Sequence, residues 1–134
     1  MVNRGIILIS HGWMAVETLK SAEMILGPKE NAAAIAMEAT DSPESTKQKL
    51  QEELAKFSHC EEVIVLADLM GGTPCNVSLT LLGDHPNMQL FTGFNLPLVM
   101  ELLASDFAPI DEIRDNLVES GRAAVTDIRK KLQV

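Results

Sequence analysis

EVIVLADLMGGTPCN, Glu62 to Asn76, carries an apolar run into one carboxylate, a double glycine and a helix start. Glu62 to Ala67 is continuous and rich in β-branched residues, the pattern of a strand covered on both faces. Asp68 ends that strand, and Pro74 to Leu82 reads as the following helix, with Thr73 as its N-cap and Pro74 as its first residue. A buried strand that feeds a helix through a short turn is half of a β-α-β unit, and such units imply a parallel sheet.

The same pattern recurs outward in both directions. Gly5 to Ser10 (GIILIS) is a second continuous strand, ending at His11-Gly12, and Met14 to Leu26 has helical spacing with Gly27-Pro28 as a stop. Ala32 to Met37 is a weaker strand. Ser42 caps a helix that begins at Pro43 and runs to about Phe57. Asn87 to Thr92 is a fourth strand, and Leu96 to Ser105 is helical after Asn95. From Pro109 onward, Ile110, Ile113, Leu117, Ala124, Val125, Ile128 and Leu132 form a helical stripe, with a bend expected near Gly121. The fold class that follows is a doubly wound α/β domain over residues 1–134, with a mainly parallel sheet of flavodoxin-like order 2-1-3-4. In that order the switch point lies between strands one and three, so His11 and Asp68 face each other at the ligand-binding edge.

Eleven basic residues against nineteen acidic ones leave a net charge of −8, which repels phosphate backbones and anionic lipid surfaces. Nucleic acid and membrane surfaces are therefore poor partners. MVNRGIILIS has an apolar run shorter than the ~7–15 residues of a signal peptide core, and no stretch reaches the ~18 apolar residues of a membrane span. These features are those of a cytoplasmic protein with reduced Cys60 and Cys75. The three histidines and two cysteines lack metal-ligand spacing, so neither metal nor cofactor is expected.

A neutral imidazole at a sheet rim can serve as nucleophile, base or ligand. A carboxylate on one ring nitrogen fixes the tautomer and turns the other lone pair outward. His11 with Asp68 fits that arrangement, although a structural histidine and a turn-capping Asp are the alternatives. Gly71-Gly72-Thr73 at a helix N-terminus makes an anion seat that would suit a phosphoryl group on His11, the alternative being an ordinary strand-to-helix turn. Trp13, Met14, Met70, Phe94 and Leu96 flank these loops and form a candidate docking face for a partner protein, unless they belong to the core. His59 and His85 lie on connections away from this rim.

In this order, HGWMA (His11–Ala15), SAEMILG (Ser21–Gly27), VLADLMGGTPCN (Val65–Asn76), TGFNLPLVMELL (Thr92–Leu103) and ESGRAAV (Glu119–Val125) resemble the enzyme IIA component of the mannose-type bacterial sugar phosphotransferase system. The resemblance implies that His11 takes a phosphoryl group from the phosphocarrier HPr and passes it to a IIB protein. It implies that Asp68 orients the ring and that Thr73 with nearby amides contacts the phosphoryl group. It also implies a homodimer with an exchanged edge strand near the C-terminus, and a IIA unit without fused IIB. The phosphoryl-donor subunit of a dihydroxyacetone kinase, or a regulatory module with unphosphorylated His11, would be the other readings.

Overall fold

The computed structural model describes residues 1–134. The elements run β1 (Arg4–His11), α1 (Met14–Leu26), β2 (Ala32–Met37), α2 (Pro43–Lys56), β3 (Glu62–Ala67), α3 (Thr73–Leu81), β4 (Met88–Thr92), α4 (Leu96–Leu103), α5 (Ile110–Ala123) and α6 (Ile128–Leu132). The four strands pair in parallel in the order β2-β1-β3-β4, as the alternation of strand and helix requires.

Successive residues of a strand point to opposite faces, so the continuous apolar runs of β1 and β3 feed two cores. Ile6, Leu8, Ile64 and Leu66 pack beneath α1, α4 and α5 with Ala15, Leu19, Val99, Leu102 and Leu117. Ile7, Ile9, Val63 and Val65 pack beneath α2 and α3 with Leu50, Leu54, Cys75 and Leu81. Each fully buried Ile, Leu or Val side chain contributes about 1.5–3 kcal/mol from water exclusion. β1 and β3, central in the sheet, are therefore the fixed platform from which His11 and Asp68 project.

β1 begins one residue before the expected start because Arg4, although charged, is 2% exposed and fully partnered. Its Nε donates to Glu62 Oε1 at 2.8 Å, Nη1 to the Ser105 carbonyl at 2.8 Å, and Nη2 to the Ala108 carbonyl. Ser42 caps α2 in a reciprocal capping box with Ser45, with Pro43 next to it. Helix α3, in contrast, starts at Thr73 with Gly72 as N-cap and no side-chain cap. Thr73 is thus not the cap that its position before Pro74 suggests.

The C-terminal stripe is not one core helix. α5 continues through Gly121 to Ala123, and glycine at 121 permits close packing on α4, since a Cβ there would lie 2.9 Å from Leu98 Cδ1. The break falls after Ala123, and Asp127 caps the short α6. Val125, Ile128 and Leu132 are exposed. The sheet of the single chain has four strands, and its C-terminal segment forms α6 instead of a fifth. No helix is long and apolar enough to cross a membrane.

Candidate functional site

His11 is the last residue of β1, paired in register with Met37 of β2. Asp68 follows β3, its backbone N–H donating to the Ile9 carbonyl at 3.2 Å. Residues 57 apart in sequence therefore meet at the switch point. Asp68 Oδ2 lies 2.7 Å from His11 Nδ1 and also accepts the His11 backbone N–H at 2.9 Å, while Oδ1 accepts the Leu69 N–H at 3.0 Å. A carboxylate can only accept, so this geometry places the ring proton on Nδ1 and leaves a lone pair on Nε2. The Asp68 side chain is 6% exposed and the His11 side chain 44%, so the acid is held in the protein while the ring faces outward.

The other side of the ring is Gly72. A Cβ there would sit 2.5 Å from His11 Cε1 and 3.1 Å from Nε2, so only glycine lets the backbone approach this closely. Gly71 supplies the preceding turn with φ +91°, a left-handed conformation that side chains disfavour. α3 thus begins next to the ring, since its N-cap Gly72 adjoins Nε2, and no side chain caps that helix end, where the dipole is positive.

The expected docking residues divide. Trp13, Met14 and Met70 are exposed, at 57%, 49% and 80%, and Leu69 joins them. Phe94 is not on the rim: it is buried in the core beneath α1 and α4, and Leu96 is half-buried against that same core. Phe94, in the loop before Asn95, is only 4% exposed and so is closed to a partner, while Leu96, in the first turn of α4, packs part of its side chain against the core. His59 is exposed and His85 half-buried, both away from the rim.

Two features were invisible in the linear sequence. Gly12, with φ +57°, is held by its N–H to the Met37 carbonyl at 2.7 Å, so β2 fixes the turn that follows His11. A groove of about 430 Å³ between α2 and α3 also brings Lys47 alongside Thr73 and Asn76, although no basic residue occurs in the site loops themselves. Only pairing register and helix packing create these neighbours, and no local motif announces them. The 44% exposure of the His11 side chain puts its ring on an open rim.

With this geometry, the comparison with known proteins is direct. The family model for the PTS system fructose IIA component matches residues 5–118. The chain is 34% identical over 128 residues to the PTS system mannose-specific EIIAB component of Escherichia coli K12, covering 94% of this chain but only 40% of that protein. It is 31% identical over 97 residues to the PTS system sorbose-specific EIIA component of Klebsiella pneumoniae, covering 72% of this chain and 70% of that protein. The mannose/sorbose-specific IIA subunit of the Enterococcus faecalis phosphotransferase system superposes with a TM-score of 0.86 at 39% identity, covering 93% of this chain and 94% of that one. A strand-end histidine seated on a buried aspartate, the 2-1-3-4 sheet and these matches together place the chain in the mannose-type IIA family of the sugar phosphotransferase system.

Proposed function

We propose that this chain is a cytoplasmic phosphoryl carrier, which accepts a phosphoryl group from phospho-HPr on His11 and passes it to a IIB component during coupled sugar uptake and phosphorylation. The observation that carries the reading is the 2.7 Å contact between His11 Nδ1 and Asp68 Oδ2, with Nε2 turned toward Gly72 and the α3 N-terminus.

In the accepting step, the Nε2 lone pair attacks phosphorus and a P–Nε2 bond forms as the P–N bond to the donor histidine breaks, returning that electron pair to the donor ring. No proton need leave His11 during the attack. The phosphorylated ring keeps its Nδ1 proton and gains positive charge, which the Asp68 carboxylate opposes at hydrogen-bond distance. The phosphoryl oxygens lie toward the N–H groups near Gly71, Gly72 and Thr73, where the helix dipole favours negative charge. Handing on to IIB is the same displacement in reverse. The rim loops carry no bidentate arginine clamp, which suits a group that must leave again, since transfer of this kind depends mostly on positioning.

The open rim supports a protein donor in place of an enclosed small molecule. Trp13, Met14 and Met70 are exposed near it, large side chains of the kind enriched in protein interfaces. The E. coli relative is named as an EIIAB component, and the portion matched here would be the IIA portion, with IIB as acceptor. A homodimer belongs to the same reading: β4 pairs only with β3, and its free edge could accept a strand from a second copy.

The test is the intact mass after incubation with phosphoenolpyruvate, enzyme I and HPr. The expected result is an HPr-dependent gain of one phosphoryl group that His11→Ala abolishes. Gain in His11→Ala would reject the assignment.

A further inference from the structure

We propose that Ser10 is a positioning residue for phosphoryl transfer, its hydroxyl locking the turn that carries both His11 and Trp13; the inference rests on the carrier reading above. Ser10 is fully buried next to the reacting histidine, and its Oγ spans the turn. It donates to the Gly12 carbonyl at 3.1 Å and accepts the Ala15 N–H at 2.7 Å. The formal N-cap of α1 is Trp13, which makes no capping bond because an indole offers no acceptor. A hydroxyl three residues earlier, still within β1, takes over that task.

The consequence is a turn with no loose end. The Gly12 N–H is tied to β2 through Met37, and its carbonyl is tied to β1 through Ser10. His11 precedes Gly12 and Trp13 follows it, so one hydroxyl fixes the reacting ring relative to an exposed aromatic of the rim. Without it, the buried Ala15 N–H and the Gly12 carbonyl both lose a partner, and the left-handed turn is free to shift. Phosphoryl transfer is sensitive to misplacement on the scale of ~1 Å, which can cost about 100-fold in rate.

The experiment compares wild type, Ser10→Ala, Ser10→Thr and Ser10→Val. The readouts are the transfer rate from saturating phospho-HPr, the melting temperature and the ¹⁵N shifts of the His11 ring before phosphorylation. Thr and Val add the same bulk and differ by a hydroxyl against a methyl, so any packing cost is common to them. The expected result is a maximal rate at least about tenfold lower in Ser10→Ala and Ser10→Val than in Ser10→Thr, with displaced His11 shifts only where the hydroxyl is gone. Equal rates and equal His11 shifts in Ser10→Val and Ser10→Thr, or wild-type rate and shifts in a folded Ser10→Ala, would overturn the proposal. A wild type that takes up no phosphoryl group would instead reject the carrier reading, with the ring shifts still reporting on Ser10.

Discussion

The carboxylate of Asp68 holds His11 twice through one oxygen: Oδ2 accepts the ring Nδ1–H at 2.7 Å and the His11 backbone N–H at 2.9 Å. One group thereby sets the rotation of the ring and the position of the backbone that bears it. The third acceptor role, Oδ1 to the Leu69 N–H, anchors the carboxylate to its own turn.

Asp68→Asn preserves size but can offer only one acceptor oxygen and no charge. We expect a folded protein whose phosphoryl transfer is about 10–100-fold slower, the usual scale for losing an orienting partner. Stopped-flow or quench measurements of transfer from phospho-HPr check this. Unchanged kinetics would remove Asp68 from the mechanism.

Gly71 and Gly72 should fail in different ways. At Gly72 the backbone is ordinary, with φ −85°, but an added methyl meets the His11 ring at 2.5 Å. At Gly71 there is open space but φ is +91°. Gly72→Ala should therefore depress transfer at least about tenfold with little change in melting, whereas Gly71→Ala should cost about 1–2 kcal/mol in stability through backbone strain. Paired melting and transfer assays separate them, and the reverse pattern would contradict this geometry.

Thr73→Ala is expected to leave stability within about 0.5 kcal/mol, because Gly72 caps α3 and the Thr73 hydroxyl makes no capping bond. Ser42→Ala, which breaks the capping box of α2, should cost about 0.5–2 kcal/mol. Denaturant unfolding of the two variants side by side provides the check; equal losses would mean that Thr73 caps after all.

The Lys49 ammonium beside Asp41, with the Glu38 N–H and the Ser45 hydroxyl, holds the Asp41 carboxyl down to about 2. An unfolded aspartate titrates near about 3.9. The folded value is the lower one, so the charged form stabilises the fold above the unfolded value, and that contribution fades as pH falls from about 4 through 2. Carboxyl ¹³C NMR should show an Asp41 midpoint near 2. The melting difference between wild type and Asp41→Asn should be constant at neutral pH and shrink across that acid window. An Asp41 midpoint near 4 would contradict the clamp.

The sheet order was legible because the continuous apolar runs of β1 and β3 could only be doubly covered strands, and their facing ends followed from the winding rule. The pairing of His11 with Asp68 was readable for the same reason. What escaped the sequence depended on three-dimensional partners. Arg4 looked like a residue outside the strand until Glu62 and two carbonyls satisfied it. Phe94 and Leu96 lie in a loop and first turn whose inward direction is set by α4 packing, which composition does not reveal. Val125, Ile128 and Leu132 continued an apolar period past the end of the core. Ser10 gave no signal at all, since a lone serine in an apolar strand shows nothing of the turn that its hydroxyl closes.

The most direct test is ³¹P and ¹⁵N NMR of the histidine-labelled protein after phosphorylation through HPr, to find which nitrogen carries phosphorus. The expected result is a P–N coupling at His11 Nε2, with the Nδ1 proton retained against Asp68. Phosphorus on His11 Nδ1, on His59 or His85, or on no histidine would contradict it.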